Sequence, residues 1–218
     1  SKDPISEECS GFRNKFFVRS ALKKDSIEHL NYLKFVTGPA EIPDPPTNAY
    51  PLIVKPTDSM VSRNVFKVSN HSELRRACID IFTKNKTFIT ADHGEIVVEN
   101  VYNNLPHALI ESTLHGQKLS VEVLVHKGVR RFHVVVTKYD FDNEYFYERA
   151  DIIDPNYLTR EEDALLVEYI ERIIRSLKVQ SALLHIELFH QNCSPTFNLI
   201  EVNFRCAGGY IQELILKA

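Results

Sequence analysis

Two strand-like segments near the end of the chain carry carboxylates at spacings that could bind a metal ion. Within residues 183–209, His185 and Glu187 alternate with apolar residues, and Glu201 and Asn203 do the same further along. Side chains two positions apart share one face of a strand, and the turn-forming link between the segments predicts a hairpin. Glu187 is then expected opposite Glu201. Two carboxylates and an amide oxygen on one face are the hard oxygen ligands that suit Mg²⁺.

The alternative is a sheet with one solvated face, on which glutamate and asparagine side chains simply point into water. Charged residues are mostly exposed, so this explanation is the better one for any single glutamate. The set favours a metal site, because polar residues interrupt two strongly apolar segments and Gly208-Gly209 follows directly. Arg205 adds a cation that could contact phosphate oxygens. Two neighbouring carboxylates repel each other, so we expect an electrostatically strained site without a cation.

A lysine in the first half of the chain stands where a phosphate could bind. Lys55 ends an apolar segment, and the polar residues 57–64, including Ser62, follow it as a loop whose amides could help. A lone lysine after a strand is usually solvated, but its combination with a carboxylate hairpin supports a phosphate site. Phosphoryl transfer requires cations and a metal that neutralise charge. Further cations could converge there: Lys15, Lys138 and Arg205.

The elements that must position these residues are predicted from apolar periodicity and capping residues. The predicted helices are a short one beginning near Asn14 and Lys15, one at about 71–84 capped by Asn70 and Glu73, and one at about 160–177 capped by Thr159 and Glu162. The predicted strands are residues 51–55, 65–68, 95–101, 107–114, 119–125 and 130–137, with the hairpin. Residues 37–48 are a Pro-rich connector, and residues 138–158 show no clear periodicity. Mostly antiparallel strands with few helices predict an α+β fold.

Composition limits the class of protein. The 218 residues carry a formal net charge of −3, so no electrostatic argument supports a nucleic-acid partner. No apolar segment approaches the length that spans a bilayer and no secretory signal opens the sequence, so no membrane partner is expected. The four cysteines lack a CxxC spacing, which favours reduced thiols in a cytoplasmic protein. Because the first residue is not Met, we interpret the sequence as part of a longer chain.

The order of several segments resembles the ATP-grasp superfamily over nearly the whole chain. These segments are PLIVKP, a loop ending SRNV, ALIESTLHGQKLSVEVLVHKG, LLHIEL and LIEVNFRCAGG. The loop pattern KP.DS..SR.V and the ending H.E…E.N.R..GG look most like carboxylate–amine ligases that join amino acids, the dipeptide-forming and carnosine-synthase-like group. The resemblance implies two α+β lobes whose antiparallel sheets sandwich the nucleotide. Residues 1–49 would lead into the fold, residues 50–116 would form the small lobe, and residues 117–218 the large lobe.

The resemblance also implies a reaction. A substrate carboxylate attacks the γ-phosphate of ATP, and an amine then displaces phosphate from the acyl-phosphate to form an amide, without a covalent enzyme nucleophile. The cofactors would be ATP and Mg²⁺, with Mn²⁺ as an alternative ion. The substrates would be small carboxylates and amines, amino acids above all, and the resemblance is compatible with a homodimer.

Site residues follow from the resemblance position by position. In the first half of the chain, Lys15 and Lys55 would hold ATP phosphates, residues 57–64 with Ser62 would form a mobile lid, and a hinge would read the adenine edge through its backbone at Glu111, Ser112, Thr113 and Leu114. In the second half, the Mg²⁺ ligands would be Glu187, Glu201 and Asn203, with His185 two residues before the first ligand. Arg205 would steady the acyl-phosphate, and Lys138 is a weaker candidate for a phosphate contact.

Three departures from the family pattern leave rival functions open. The lid has Met60, Val61 and Asn64 where the family usually has glycine, and only Asn64 suits a left-handed backbone. Lys118 stands where the family's acidic ribose contact is expected. Compared with the family pattern, we expect this sequence to lack the preceding α/β domain and to have a shortened end. One rival is a degenerate ATP-grasp module that binds nucleotide or a partner without catalysis; another is a carboxylase-type enzyme that acts on bicarbonate.

Overall fold

The computed structural model describes residues 14–27, 30, 33–57, 64–83, 86–91, 94–99, 107–140, 148–191, 196–208 and 213. The helices are α1 (Lys15–Lys24), α2 (His71–Thr83) and α3 (Arg160–Ser176). The strands are β1 (Leu33–Val36), β2 (Leu52–Pro56), β3 (Phe66–Val68), β4 (Lys86–Ala91), β5 (Gly94–Glu99), β6 (Ala108–Ser112), β7 (Gln117–His126), β8 (Val129–Asp140), β9 (Glu148–Ile152), β10 (Ser181–Gln191) and β11 (Thr196–Asn203). The described strands pair antiparallel throughout, which confirms the predicted α+β class.

The chain divides into two compact units. The larger unit comprises Ser1–His29 and Leu114–Ala218, and the smaller unit comprises Leu30–Thr113. These limits differ from the expected segments 1–49, 50–116 and 117–218: α1 belongs to the larger unit, whereas β1 belongs to the smaller one, where it pairs with β6. The expected boundaries of the small and large lobes therefore stay a prediction.

The smaller unit is built on a four-stranded sheet in the order β1-β6-β2-β3, against which α2 packs. Its core combines apolar residues of the sheet and the helix: Val36, Leu52, Val54, Val68, Leu74, Ala77, Cys78, Ile81, Ala108 and Ile110. The predicted start of α2 is confirmed, because the Asn70 side chain accepts a hydrogen bond from the Glu73 backbone N–H at 3.0 Å. Strands β4 and β5 form a separate two-stranded sheet in this unit.

The larger unit is built on a five-stranded sheet in the order β11-β10-β7-β8-β9. On one face, alternate residues of β7 and β10 pack with α1 and α3: Val18, Leu22, Leu119, Val121, Val123, Leu166, Ile170, Ile173, Leu184, Ile186 and Leu188. A capping box fixes the start of α3, because Thr159 and Glu162 each accept a hydrogen bond from the other's backbone N–H. The opposite face carries Ser120, Glu122, His185 and Glu187, and we call it the polar face.

The start of β7 depends on a glycine. Gly116 has φ +128°, and a Cβ at this position would lie 2.3 Å from the His190 carbonyl oxygen. A residue with a side chain would therefore clash with the backbone of β10 and would also be strained. Gly116 thus allows β7 to start directly alongside the end of β10, where Gln117 faces His190.

The predicted helices and the hairpin are confirmed, but the strand predictions were incomplete. β1 and β4 were not predicted, and the aperiodic residues 138–158 contain the end of β8 and the whole of β9. β9 is an edge strand whose apolar Ala150 and Ile152 are exposed while the charged Asp151 between them is partly buried, so it lacks the apolar pattern that reveals a strand. In the described part of the chain, no helix is both long enough and apolar enough to cross a membrane.

Candidate functional site

The hairpin of β10 and β11 brings the predicted metal ligands together on the polar face. Glu187 faces Glu201 across the two strands, and His185 faces Asn203. The predicted pairing of Glu187 with Glu201 is therefore confirmed. A register irregularity follows directly between Glu187 and Leu188. Bulges of this kind locally redirect side chains and often lie next to active sites.

Each of the two facing carboxylates has its own cation. Glu187 Oε1 lies 3.1 Å from His185 Nε2, and Glu201 Oε2 lies 3.3 Å from Lys15 Nζ. The other oxygen of Glu201 accepts a hydrogen bond from Asn203 Nδ2 at 2.7 Å. The expectation of a strained site without a cation was incomplete, because the protein itself supplies positive charge beside both carboxylates.

Helix α1 places Lys15 beside β11. Asn14 caps the helix by accepting hydrogen bonds from the backbone N–H groups of Phe16 and Phe17, so Lys15 is the first helical residue. One turn later, the buried Arg19 donates a hydrogen bond to the Ile200 carbonyl oxygen at 3.1 Å. The N-terminal end of α1 is therefore tied to the strand that carries Glu201.

Glu122 of β7 is a member of this cluster that the sequence analysis missed. It faces His185 across β7 and β10, its Oε1 contacts His185 Nδ1, and its Oε2 accepts a hydrogen bond from the Ala207 backbone N–H at 2.9 Å. The signal was present: Ser120 and Glu122 are the polar members of an otherwise apolar alternation, Leu-Ser-Val-Glu-Val-Leu-Val. Such residues share a face with the polar residues of the neighbouring strand.

His185 carries a positive charge at neutral pH in this environment. Burial lowers its pKa, but hydrogen bonds and charge from Glu122 and Glu187 outweigh burial and raise the pKa to about 9. Both ring nitrogens then donate hydrogen bonds, one to each carboxylate. His185 is therefore a fixed cation between two carboxylates and not a free imidazole.

The remaining predicted cations of the larger unit lie on or near the same face. Lys138 is buried on β8, and its Nζ lies 3.6 Å from Asp151 Oδ1 on β9. Lys118 is half-buried on β7 opposite Phe189 of β10. Arg205, just after β11, is exposed and donates a hydrogen bond to the Cys206 carbonyl oxygen at 2.8 Å.

The predicted site residues of the smaller unit lie on β2 and β6. Lys55 lies in β2, as predicted, but it is not solvated: it is 4% exposed and forms a salt bridge with Glu111 of β6, which is also 4% exposed. Ser112 ends β6, and Thr113 donates a hydrogen bond to the Pro51 carbonyl oxygen at 2.7 Å. Leu114 is the first residue of the larger unit's second segment.

The predicted lid lies almost entirely outside the described residues. Only Thr57 and Asn64 of residues 57–64 belong to the described part, and Ser62 does not. Asn64 has φ +57°, the left-handed conformation for which asparagine was expected to replace glycine.

The donor set at the hairpin fits a magnesium ion. Glu187 and Glu201 offer carboxylate oxygens, and Asn203 offers an amide oxygen because its NH₂ group donates to Glu201. No group of three or more histidine, cysteine, aspartate or glutamate residues among those described could hold a metal. A metal bound by two carboxylates and an amide would therefore need further oxygens from water or a phosphate, as Mg²⁺ usually does.

The chain belongs to the ATP-grasp domain family, because the model of that family matches residues 48–213. A search of curated proteins gives no match. The fold is similar to that of an L-amino acid ligase from Bacillus licheniformis, with a TM-score of 0.71 and 20% identity over 95% of this chain and 44% of the other. It is also similar to a D-alanine–D-alanine ligase from Bacillus anthracis complexed with ATP, with a TM-score of 0.62 and 14% identity over 90% of this chain and 56% of the other.

A third similar structure is carboxyaminoimidazole ribonucleotide synthase from Aspergillus clavatus complexed with ATP. Its TM-score is 0.69 and its identity 16%, over 97% of this chain and 50% of the other. These likenesses confirm the ATP-grasp fold. The chain spans about half the length of each of these proteins.

Proposed function

We propose that this chain is the ATP-grasp region of an ATP-dependent carboxylate–amine ligase that forms an amide through an acyl-phosphate. The observation that carries the proposal is the polar face of the larger unit. There Glu187 faces Glu201, Asn203 lies beside Glu201, and Lys15 contacts the same carboxylate. An ordinary solvated sheet face gives no reason for this arrangement, in which a buried arginine holds the helix that carries Lys15 against β11.

The proposed roles follow from the chemistry of each side chain. Glu187, Glu201 and Asn203 would hold Mg²⁺, which neutralises phosphate charge when it is bound. Lys15 would hold a phosphate group of ATP, because an ammonium has three donors and can keep Glu201 while it binds another oxygen. Arg205 is exposed directly after the hairpin, where its guanidinium could bind the acyl-phosphate oxygens. Lys138 is proposed as a further phosphate contact.

Residues of the smaller unit would hold the rest of the nucleotide. Lys55 would bind phosphate while Glu111 keeps the ammonium oriented through their salt bridge. The backbone of Glu111 to Leu114, with Ser112 and Thr113, would read the adenine edge, and Ser62 would act from the lid. Lys118 would lie beside the ribose.

Amino acids are the proposed substrate class, with one supplying the carboxylate and another the amine. Two of the similar structures are an L-amino acid ligase and a D-alanine–D-alanine ligase, which supports this choice. A cytoplasmic location also belongs to the proposal. It agrees with Cys78 and Cys206, the cysteines in the described part of the chain, which are free thiols.

The second candidate is a module that binds nucleotide without catalysing ligation. Lys118 favours it, because an ammonium cannot accept hydrogen bonds from ribose hydroxyls as a carboxylate does. The carboxylates and cations of the hairpin favour the ligase, because a module that only binds a nucleotide does not need an arginine for an acyl-phosphate.

Thermal unfolding with ATP, in the presence and absence of Mg²⁺, tests the proposal. At a ligand concentration one hundredfold above Kd, the wild-type chain should gain about 2.7 kcal/mol of stability, and most of this gain should depend on Mg²⁺. Glu201→Gln should lose the Mg²⁺-dependent part, because it removes a charged ligand but can still accept the hydrogen bond from Asn203. Glu168→Gln, at an exposed position of α3, is the control and should behave like wild type.

A second measurement separates the two candidate functions. Amino-acid substrates should increase ADP release, and hydroxylamine should trap the acyl-phosphate as a hydroxamate. Mg²⁺-dependent ATP binding without either product supports the non-catalytic module. If wild type shows no Mg²⁺-dependent stabilisation, the hairpin is an ordinary polar sheet face, and the module without ligase activity replaces the ligase.

A further inference from the structure

A carboxylate behind the proposed metal ligands has both of its oxygens occupied. Glu122 is 7% exposed, and its Oε1 contacts His185 Nδ1 while its Oε2 accepts the Ala207 backbone N–H at 2.9 Å. A buried carboxylate is costly unless its charge and lone pairs are satisfied, and here both are. Because neither oxygen points into open space, Glu122 is poorly suited to bind a metal itself.

The first oxygen of Glu122 acts on a proposed metal ligand through His185. The histidine ring is 3% exposed and lies between Glu122 Oε1 and Glu187 Oε1, which is 3.1 Å from its Nε2. A ring held by both nitrogens cannot rotate without breaking one of the two contacts. The position of the Glu187 carboxylate is therefore coupled to Glu122, although the two side chains belong to different strands.

The second oxygen of Glu122 acts on the segment that carries Arg205. This segment leaves β11 after Asn203, and the buried Ala207 packs against Val136 of β8. The hydrogen bond from the Ala207 N–H fixes the far end of the segment to β7. Glu122 thus connects both β10, which carries Glu187, and the segment that carries Arg205 to β7, the central strand of the sheet.

We propose that Glu122 is a positioning residue that orients Glu187 through His185 and anchors the Arg205 segment through Ala207. This inference rests on the proposed function, in which Glu187 binds Mg²⁺ and Arg205 binds the acyl-phosphate. Replacing a residue that orients a metal ligand without touching the metal typically changes the metal affinity by about 10–100-fold. Glu122 has the contacts such a residue needs.

The test is Glu122→Gln, measured by calorimetric titration with ATP in the presence and absence of Mg²⁺. Glutamine has a single acceptor oxygen, so keeping the Ala207 hydrogen bond turns its NH₂ group toward His185 Nδ1 and removes the negative charge beside the ring. We expect ATP affinity without Mg²⁺ to stay within about twofold of wild type, and the Mg²⁺ concentration that gives half-maximal enhancement to rise about 10–100-fold. Glu168→Gln, which removes an exposed glutamate of α3, is the matched control and should leave both values unchanged.

A double-mutant cycle with His185→Gln separates positioning from a general structural effect. If Glu122 acts on Glu187 through His185, the loss of Mg²⁺ affinity in the double variant should equal that of His185→Gln alone. Additive losses would show that Glu122 acts independently of His185 and would overturn the proposal. Unchanged Mg²⁺ dependence in Glu122→Gln would overturn it as well.

Two further outcomes are covered: a Glu122→Gln variant that does not fold, and a wild type without Mg²⁺ dependence. If Glu122→Gln does not fold, Glu122→Asp replaces it; aspartate keeps the charge but is one methylene too short to reach both partners. The same rise in the required Mg²⁺ concentration is then expected, and wild-type behaviour overturns the proposal. If wild type binds ATP without any Mg²⁺ dependence, the proposed function itself fails and this inference falls with it.

Discussion

Lys55→Met tests whether the buried ion pair of the smaller unit supports the fold as well as nucleotide binding. Lys55 and Glu111 lie on neighbouring strands and form a salt bridge, and each is 4% exposed. Removing the ammonium leaves the Glu111 carboxylate as a buried charge without its main partner. The loss of one member of a buried pair costs about 3–5 kcal/mol. Because Glu111 has further contacts, we expect the lower end, about 3 kcal/mol.

The double variant Lys55→Met with Glu111→Leu separates the two roles. Two apolar side chains of similar size replace the pair, so the free energy of unfolding should return to within about 1 kcal/mol of wild type. ATP binding should stay weaker by about 1.5–3 kcal/mol in both variants, because no ammonium is left to hold a phosphate. Urea denaturation measures the first quantity and calorimetric titration with ATP the second.

The matched control is Lys67→Met, which removes an exposed lysine from the adjacent β3. It should change neither stability nor ATP affinity appreciably, since exposed charges contribute little. A Lys55→Met chain as stable as this control would refute the argument from burial. A double variant that binds ATP like wild type would remove Lys55 from the proposed site.

Three further predictions follow from single features of the fold. Thr159→Ala should lower stability by about 1 kcal/mol at neutral pH. The Thr159 backbone N–H, which alanine keeps, lowers the pKa of Glu162 below 4.5. The stability that the Glu162 carboxylate contributes is therefore present above pH 4.5 and lost as the pH falls through the lowered value, which urea denaturation at neutral and acidic pH would show. Gly116→Ala should destabilise the chain by more than about 1 kcal/mol, whereas Gly38→Ala, with open space around an extended backbone, should not, as melting temperatures would report. Lys118→Glu should increase the preference for ATP over 2′-deoxy-ATP in competition binding, because it supplies acceptors for the ribose hydroxyls.

Much of the fold and the hairpin could be predicted because local patterns determine them. The alternation in β10 and β11 shows which residues share a face. The register irregularity between Glu187 and Leu188, without which Glu187 would pair with Ile200, could not be predicted from that alternation. The starts of α2 and α3 were readable because capping residues act within one turn. The family resemblance added the position of Lys15, which α1 carries to the same face.

What the sequence could not show depends on contacts between strands that are distant along the chain. Glu122 meets His185 only because β7 pairs with β10, and no pattern within β7 specifies that partner. The burial of Lys55 likewise depends on β6, which lies more than fifty residues further along the chain. β9 was not predicted because in this edge strand the apolar Ala150 and Ile152 are exposed and the charged Asp151 is partly buried, which reverses the usual pattern.

The charges around the hairpin explain why the metal is proposed to bind together with the nucleotide. Glu122, Glu187 and Glu201 supply three negative charges, while His185 and Lys15 supply two positive ones, which leaves −3 + 2 = −1 for this cluster. A divalent cation alone would make the cluster positive and would compete with His185 and Lys15 for the same carboxylates. A triphosphate reverses this balance, because it brings negative charge to the metal and to Lys15 at once. Metal and nucleotide should therefore strengthen each other's binding to this face.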